Sequence, residues 1–207
     1  MPLRTPPGRT GHLWLRERLD VARRASDVLE EKARELAAEE RRLRVLERRS
    51  RREWEEAWEV ASRWLLRSTL LGGRRELAVA RAYQVEQIDA RIRWGTNMGA
   101  TYPTEVVCSL PDAPAALSPR TSAVHFAALA HREAAAAAVR YAADRRALEV
   151  VRRERSAAGR RQRAIERRWI PRLESALDQL ELSLAEQERE DTVRAKWVSE
   201  RNAGASR

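Results

Sequence analysis

The sequence predicts an all-α fold: a long antiparallel two-helix coiled coil (a helical hairpin) with a short helix and a small loop or β-hairpin insert in the middle. Of the 207 residues, 35% are charged and only 5% are aromatic, which is typical of long helices. Two long stretches of helical periodicity flank a segment that contains several prolines and glycines. Two helices joined in this way pair within one chain only if they are antiparallel. We therefore expect the termini at one end and the insert at the other.

The first helix is predicted over residues 12–71, after a flexible lead-in at 1–11 that contains three prolines and two glycines. Alternating steps of four and three residues from position 15 to position 68 define a heptad seam. Eleven seam positions are apolar: Leu15, Leu19, Ala22, Leu29, Ala33, Leu36, Leu43, Trp54, Ala57, Ala61 and Trp64. The other five are Ser26, Glu40, Glu47, Ser50 and Ser68. The pattern ends at Gly72–Gly73, a typical helix stop.

Residues 72–119 are predicted to form the insert. A short helix is expected over 74–93, with Leu77, Ala80, Ile88 and Ile92 on one side. Residues 94–119 contain six glycines and prolines that break a helix, while Glu105–Leu110 is suited to a short strand. A small β-hairpin is therefore expected there, and it needs packing from the helices or from a partner.

The second long helix is predicted over 120–207, with a disordered C-terminal tail. Its apolar residues follow two heptad frames. The first contains Tyr141, Leu148, Val151, Ala158, Ile165 and Trp169, and the second contains Leu173, Leu177, Leu180 and Leu184. The slip between the frames coincides with Pro171, and both features disturb a regular coiled coil. We expect a kink at this point.

The charge of this helix is bipolar. Residues 152–172 carry nine arginines, whereas 173–191 carry seven acidic residues against Arg189 alone. The basic stretch could contact nucleic-acid phosphates, but a solvated face or a face that meets an acidic protein partner is favoured. The acidic cluster of Glu186, Glu188, Glu190 and Asp191 could suggest a divalent metal, but a solvated or partner-facing surface is again favoured.

The sequence predicts no enzyme, no catalytic residue, no cofactor and no metal site. The only lysines are Lys32 and Lys196, and neither follows the glycine loop of a nucleotide-binding P-loop. The three histidines and Cys108 lack zinc-ligand spacing. A single cysteine excludes an intrachain disulfide and favours a cytoplasmic location, and no apolar run is long enough for a membrane span.

Two groups of residues, one near each end of the chain, form recognisable motifs. The C-terminal motif contains Ala164, Ile165, Glu166, Ile170, Pro171, Arg172, Leu173, Leu184, Glu188, Arg189, Glu190, Arg194 and Lys196. The N-terminal motif contains Leu19, Ala22, Asp27, Leu29, Lys32 and Leu36. Both motifs resemble those of the D subunit family of V-type and A-type rotary ATPases. Ala25 and Arg163 depart from the glycine and asparagine that are usual in the family.

The resemblance implies a non-catalytic central rotor shaft that couples ATP synthesis or hydrolysis to ion transport. It also implies a location in the cytoplasm, peripheral to the membrane. The implied partners are the catalytic and non-catalytic ring subunits, the F subunit of the central stalk and an adaptor on the membrane rotor, with no nucleic acid and no direct membrane insertion. The partner-binding residues implied are Leu19, Lys32, Ile170, Pro171, Arg172, Leu184, Glu188, Arg189, Glu190, Arg194 and Lys196, and Arg16 is expected to face the ring with them. The alternatives are a self-associating coiled-coil scaffold and, less favoured, a basic nucleic-acid-binding hairpin.

Overall fold

The computed structural model describes residues 5–82, 89–109 and 122–205 of the chain. Helix α1 (Gly8–Ala82) is followed by strands β1 (Asp89–Asn97) and β2 (Ala100–Ser109) and then by helix α2 (Ser122–Ala164). A π-helical turn (Ile165–Trp169) connects α2 to helix α3 (Ile170–Ala205). These elements form two compact units. The terminal unit consists of residues 1–33 and 157–207, and the central unit consists of residues 34–156. The predicted fold class, a helical hairpin with a small β insert, is confirmed.

The heptad seam predicted in the first helix is confirmed residue by residue. None of its sixteen positions is exposed, and even the polar seam residues Ser26, Glu40, Ser50 and Ser68 are buried. The helix bounds differ from the prediction, because α1 begins at Gly8 and continues through Gly72–Gly73. A glycine in a helix interior costs only about 1 kcal/mol relative to alanine, and the good helix formers that follow offset this cost.

The middle of the chain contains a β-hairpin, as predicted, but the separate short helix over 74–93 is wrong. Residues up to Ala82 belong to α1, and Asp89 already begins β1; Ile88 lies outside the described residues. The two strands are antiparallel and are joined by Met98 and Gly99, both of which have positive φ. Such a two-residue turn fits the twist of a hairpin. Strand β2 is longer than the predicted Glu105–Leu110, and Leu110 itself is not among the described residues.

Two of the predicted helix breakers, Gly99 and Pro103, lie at irregular points of the hairpin, while Pro111, Pro114 and Pro119 are outside the described residues. Gly99 occupies the turn, and the register shifts between Arg93 and Trp94. Because Arg93 pairs with Glu105 whereas Trp94 pairs with Pro103, Thr104 is the extra residue of a β-bulge. Bulges and hairpin turns are the places where glycine and proline are tolerated in a sheet.

Each unit has its own core. In the terminal unit, Leu15, Leu19, Ala22 and Leu173 form a buried hydrophobic cluster. The central unit has a small cluster of Ala61, Ala130 and Ala134 and a larger one that includes Leu36, Leu43, Ala100, Tyr102, Ala147, Leu148 and Val151. The β-hairpin therefore packs beside residues 36–43 of α1, whereas the prediction placed the insert at the end of the helix pair opposite the termini.

The second helical region contains a π-helical turn where the sequence predicts a kink. Tyr141, Leu148, Val151, Ala158 and Ile165 are at least partly buried, as the first heptad frame requires, but Trp169 is 41% exposed. Trp169 is displaced from the seam because the π-helical turn, with its i→i+5 hydrogen bond, contains one more residue per turn than the heptad pattern allows. The helix extends to Ala205, into the tail that was predicted to be disordered, and 206–207 are not described. None of the helices in the described part of the chain is long and apolar enough to cross a membrane.

Candidate partner interface

All eleven predicted partner-binding residues belong to the terminal unit. Its core explains the position of one of them. Leu19 is 7% exposed and packs with Leu15, Ala22 and the fully buried Leu173. Burial of an aliphatic side chain contributes about 1.5–3 kcal/mol. Leu19 therefore lies in the interior of the helix pair, where another protein has little access to it.

An ionic ladder closes the same helix pair. Arg9, Arg16 and Arg23 are spaced by seven residues on α1, and Glu174, Glu181 and Glu188 are spaced by seven on α3. The nitrogen–oxygen distances are 3.2 Å for Arg9–Glu188, 3.5 Å for Arg16–Glu181 and 2.9 Å for Arg23–Glu174. Each rung is solvent-exposed and weak by itself. Together the rungs orient the two helices, as flanking charges do in coiled coils.

Two further contacts reinforce the ladder. His12 Nε2 lies 2.7 Å from Glu181 Oε1, and Ser26 donates a 2.8 Å hydrogen bond to Glu166. The hydrogen bond with His12 lowers the pKa of Glu181, and the bond from Ser26 lowers the pKa of Glu166. Both carboxylates are therefore held in their charged form. Arg16, which was expected to face the ring, shares Glu181 with His12.

The π-helical turn provides the conformation that Pro171 needs. The Ile170 N–H bonds to the carbonyl of Ile165, five residues back. A regular α-helix would force the proline ring against the carbonyl of Arg167, and the wider turn relieves that clash. Ser175 donates a 2.8 Å hydrogen bond to the Pro171 carbonyl. Single π-helical turns of this kind are frequent at functional sites.

Unpaired arginines surround this turn. Arg161, Arg163, Arg168 and Arg172 are exposed, and none of them forms an ion pair with any residue that the structure describes. We call these four residues the arginine collar. The half-exposed Trp169 lies among them. A guanidinium group binds carboxylates with a planar fork of donors and also stacks on aromatic rings, so the collar is suited to an acidic protein surface.

The remaining predicted residues differ in exposure. Ile170, Leu184 and Lys32 are partly buried, and Lys32 is engaged by interactions within the chain. The other predicted residues are all exposed: Pro171, Arg172, Glu188, Arg189, Glu190, Arg194 and Lys196. Three of them are already paired, since Arg194 approaches Glu190 at 3.4 Å and Glu188 belongs to the ladder. The end of α3 also exposes Trp197, by 73%.

The central unit contains a polar site that the sequence interpretation missed. Glu40 is a seam residue with a side chain only 6% exposed, and Arg44, Arg152 and Arg155 approach it at 2.6, 3.0 and 2.7 Å. We call these four residues the Glu40 node. Burial by itself raises the pKa of Glu40, but the hydrogen bonds from Arg155, Arg152 and Arg44 outweigh it, so the net effect is a lowered pKa.

Glu39, the residue before Glu40, anchors the β-hairpin by binding Tyr102. Tyr102 is 4% exposed and donates a 2.8 Å hydrogen bond to Glu39. Arg42 binds the same carboxylate, and this bond is the main reason for the lowered pKa of Glu39. Burial and the bond to Glu39 raise the pKa of the Tyr102 phenol. The hairpin is thus held by a buried aromatic ring whose hydroxyl group has a charged acceptor.

The sequence contained signals for the ionic ladder and for the Glu40 node. The seven-residue spacing of Arg9, Arg16 and Arg23 indicates a charged stripe beside the seam. A glutamate at a seam position, such as Glu40, requires a cationic partner because an unpaired buried charge is costly. The seam alone does not identify the partners of Glu40 on α2, Arg152 and Arg155, which lie 112 and 115 positions further along the chain.

These observations define a class: a helix-paired protein whose polar residues fix helix register and present charged surfaces. The sequence profile of the ATP synthase D subunit matches residues 12–200. The chain belongs to the ATP synthase D subunit family, as the sequence motifs indicated. No individual curated protein matches the chain.

Proposed function

We propose that this chain is the central rotor shaft of a V/A-type rotary ATPase and that it has no catalytic role itself. It couples ATP synthesis or hydrolysis in the ring to ion transport across the membrane, and it works in the cytoplasm at the membrane periphery. The family match over residues 12–200 carries this proposal. The heptad seam supports it, because a continuous seam gives a helix pair the torsional stiffness that transmission of torque requires.

The terminal unit is the proposed ring-facing part. An asymmetric shaft must present different chemistry to different ring subunits, so that the three catalytic sites occupy different states. The arginine collar and the acidic residues of α3 provide that contrast within one unit. Ile170 and Pro171 shape the π-helical turn beneath the collar, and we assign the collar to acidic surfaces of the ring.

The other predicted contacts are assigned by exposure. Arg189 and Lys196 are exposed, and we assign them to ring contacts near the paired ends. Arg194, Glu188, Glu190 and Leu184 shape the surface around them, and Lys32 acts from within the helix pair. The F subunit of the central stalk and the adaptor on the membrane rotor are the proposed partners of the rest of the chain.

Native mass spectrometry after co-expression with the ring subunits of a rotary ATPase tests the proposal. One copy of this chain per hexameric ring is expected. A ring that assembles without the chain, while the chain remains alone or self-associates, would contradict the proposal and favour the scaffold alternative.

Charge reversal tests the role of the collar. The Arg168→Glu/Arg172→Glu variant is expected to lower ring occupancy at least several-fold, because two favourable contacts become repulsive. Arg153→Glu is the matched control, since Arg153 is an exposed arginine of α2 in the central unit. Equal occupancy for the collar variant and the control would remove the collar from the interface without affecting the family assignment.

A further inference from the structure

The docked β-hairpin contacts both helices of the central unit. Ala100 and Tyr102 of β2 share one buried cluster with Leu36 and Leu43 of α1 and with α2 residues 147, 148 and 151. The Tyr102 hydroxyl bonds to Glu39 at 2.8 Å. A sliding movement of one helix along the other therefore has to break contacts of the hairpin with at least one of them.

The arginines of the Glu40 node do not by themselves select one helix register. Glu47 lies seven residues after Glu40, at the equivalent seam position, and is partly buried. Sliding α1 by one heptad, about 10.5 Å at 1.5 Å per residue, would place Glu47 opposite Arg152 and Arg155. Arg152 and Arg155 therefore meet a glutamate in both registers.

The ionic ladder favours the observed register, because the same slide would place Glu30 opposite Glu174. The hairpin adds a second difference between the two registers. The residue seven positions after Glu39 is Leu46, which offers no acceptor to the Tyr102 hydroxyl. The residue seven positions after the buried Leu43 is Ser50, so apolar contact with the hairpin would also be lost. Leaving the buried Tyr102 hydroxyl without an acceptor carries a desolvation penalty. Only the observed register satisfies the arginines and the hairpin together.

We propose that the β-hairpin is a clamp on the register of the helix pair. The Tyr102–Glu39 hydrogen bond is its latch, and Glu40 and Glu47 are alternative sites for the same two arginines. Release of the hairpin makes the neighbouring register accessible, in the manner of the helix shifts that switch other proteins. The clamp operates within the isolated chain, so its test needs no other protein and is independent of the rotor assignment.

Cysteine cross-linking distinguishes the two registers in a Cys108→Ser background. The Trp54 and Tyr141 rings stack with centroids 5.5 Å apart, so Trp54→Cys/Tyr141→Cys reports the observed register. Ala61 follows Trp54 by seven residues and takes its place after a one-heptad shift, so Ala61→Cys/Tyr141→Cys reports the shifted register. A short bismaleimide reagent is applied to each pair, and the cross-linked fraction is measured by mass spectrometry.

In the parent chain we expect the observed-register pair to react and the shifted-register pair to be nearly inert. Tyr102→Phe is expected to raise shifted-register cross-linking several-fold, and a further Glu47→Gln substitution should abolish that rise. Glu53→Gln, which changes an exposed glutamate outside the seam, is the control and should change neither fraction. No rise with Tyr102→Phe, or a rise that survives Glu47→Gln, would overturn the proposal.

A second variant tests the same idea without weakening the fold. Leu46 is 36% exposed, and Leu46→Glu gives the Tyr102 hydroxyl an acceptor in the shifted register. This variant is expected to raise shifted-register cross-linking when Tyr102 is present, and to raise it less in the Tyr102→Phe background. Equal yields in the two backgrounds would show that the hydrogen bond is not the latch.

Discussion

Glu40→Gln is expected to destabilise the protein by about 3 kcal/mol. In the parent chain Arg155 donates a 2.7 Å hydrogen bond to Glu40 Oε2. In the variant an amide NH₂ group replaces this oxygen, so that two donors face each other, while the other oxygen of the side chain is kept. Loss of a charge-assisted bond, with weakening of the bonds from Arg44 and Arg152, costs about 1 kcal/mol for each of the three partners. This value is below the range of about 1.5–3 kcal/mol for hydrogen bonds to charged groups, because the three arginines are each about half exposed and regain contact with water.

Thermal and urea unfolding, followed by circular dichroism at 222 nm, measure the effect of Glu40→Gln. A loss of about 3 kcal/mol corresponds to a melting temperature lower by roughly 6–12 °C for a chain of this size. Glu53→Gln is the matched control, because Glu53 forms an exposed i,i+4 pair with Arg49 at 2.9 Å, which contributes only about 0.2–0.5 kcal/mol. Equal losses for the two variants would refute the assignment of Glu40 as a buried stabilising charge.

Three further predictions concern the two cores and acid pH. Leu173→Ala removes a fully buried side chain and is expected to cost about 2–5 kcal/mol in urea unfolding, whereas the exposed Leu182→Ala should cost less than about 0.5 kcal/mol. Gly95→Ala places a methyl group 2.4 Å from Thr104 Cγ2 and should increase amide hydrogen exchange in the hairpin; adding Thr104→Ser removes that carbon and should restore protection. Because the effect of burial on Glu40 is outweighed by its hydrogen bonds to Arg155, Arg152 and Arg44, its folded-state pKa is lowered from the ordinary value. The stabilisation is therefore present above the ordinary glutamate pKa of about 4.3 and is lost as the pH falls through the lowered folded-state pKa. The unfolding free energy should therefore decrease as the pH falls below about 4.3, and it should decrease less steeply in Glu40→Gln. Parallel curves of unfolding free energy against pH for the two chains would contradict this.

Periodicity predicted the part of the fold that depends on local pattern. The heptad seam of α1 follows from side-chain spacing alone, and every predicted position is at least partly buried. The bounds were less predictable, because Gly72–Gly73 is a strong local stop signal whose cost is smaller than the gain from continuing the helix. The segment over 74–93 was misassigned for a related reason: Ile92 fits a helical face, but pairing with Val106 places it in a strand.

The partner contacts themselves stay a prediction, but some of the features around them follow from the sequence. The motif around Pro171 and the run of arginines pointed to the π-helical turn and its collar, and the structure brings them together in the terminal unit. Leu19, predicted as a partner contact, is buried between the paired helices, as a leucine at a seam position is expected to be. The Glu40 node and the Tyr102 latch were not predicted, because their partners are brought together only by helix pairing and by docking of the hairpin.

The sequence by itself determined the helical hairpin, its seam, its β insert and its family, because spacing of apolar residues, turn residues and short motifs are local properties. Only the tertiary structure decided which charges meet. Glu40 and Glu47 occupy equivalent seam positions, yet Glu40 alone takes the three arginines. The physical reason is that a seven-residue repeat is satisfied in several registers, and the choice among them depends on contacts between residues that are distant in the chain.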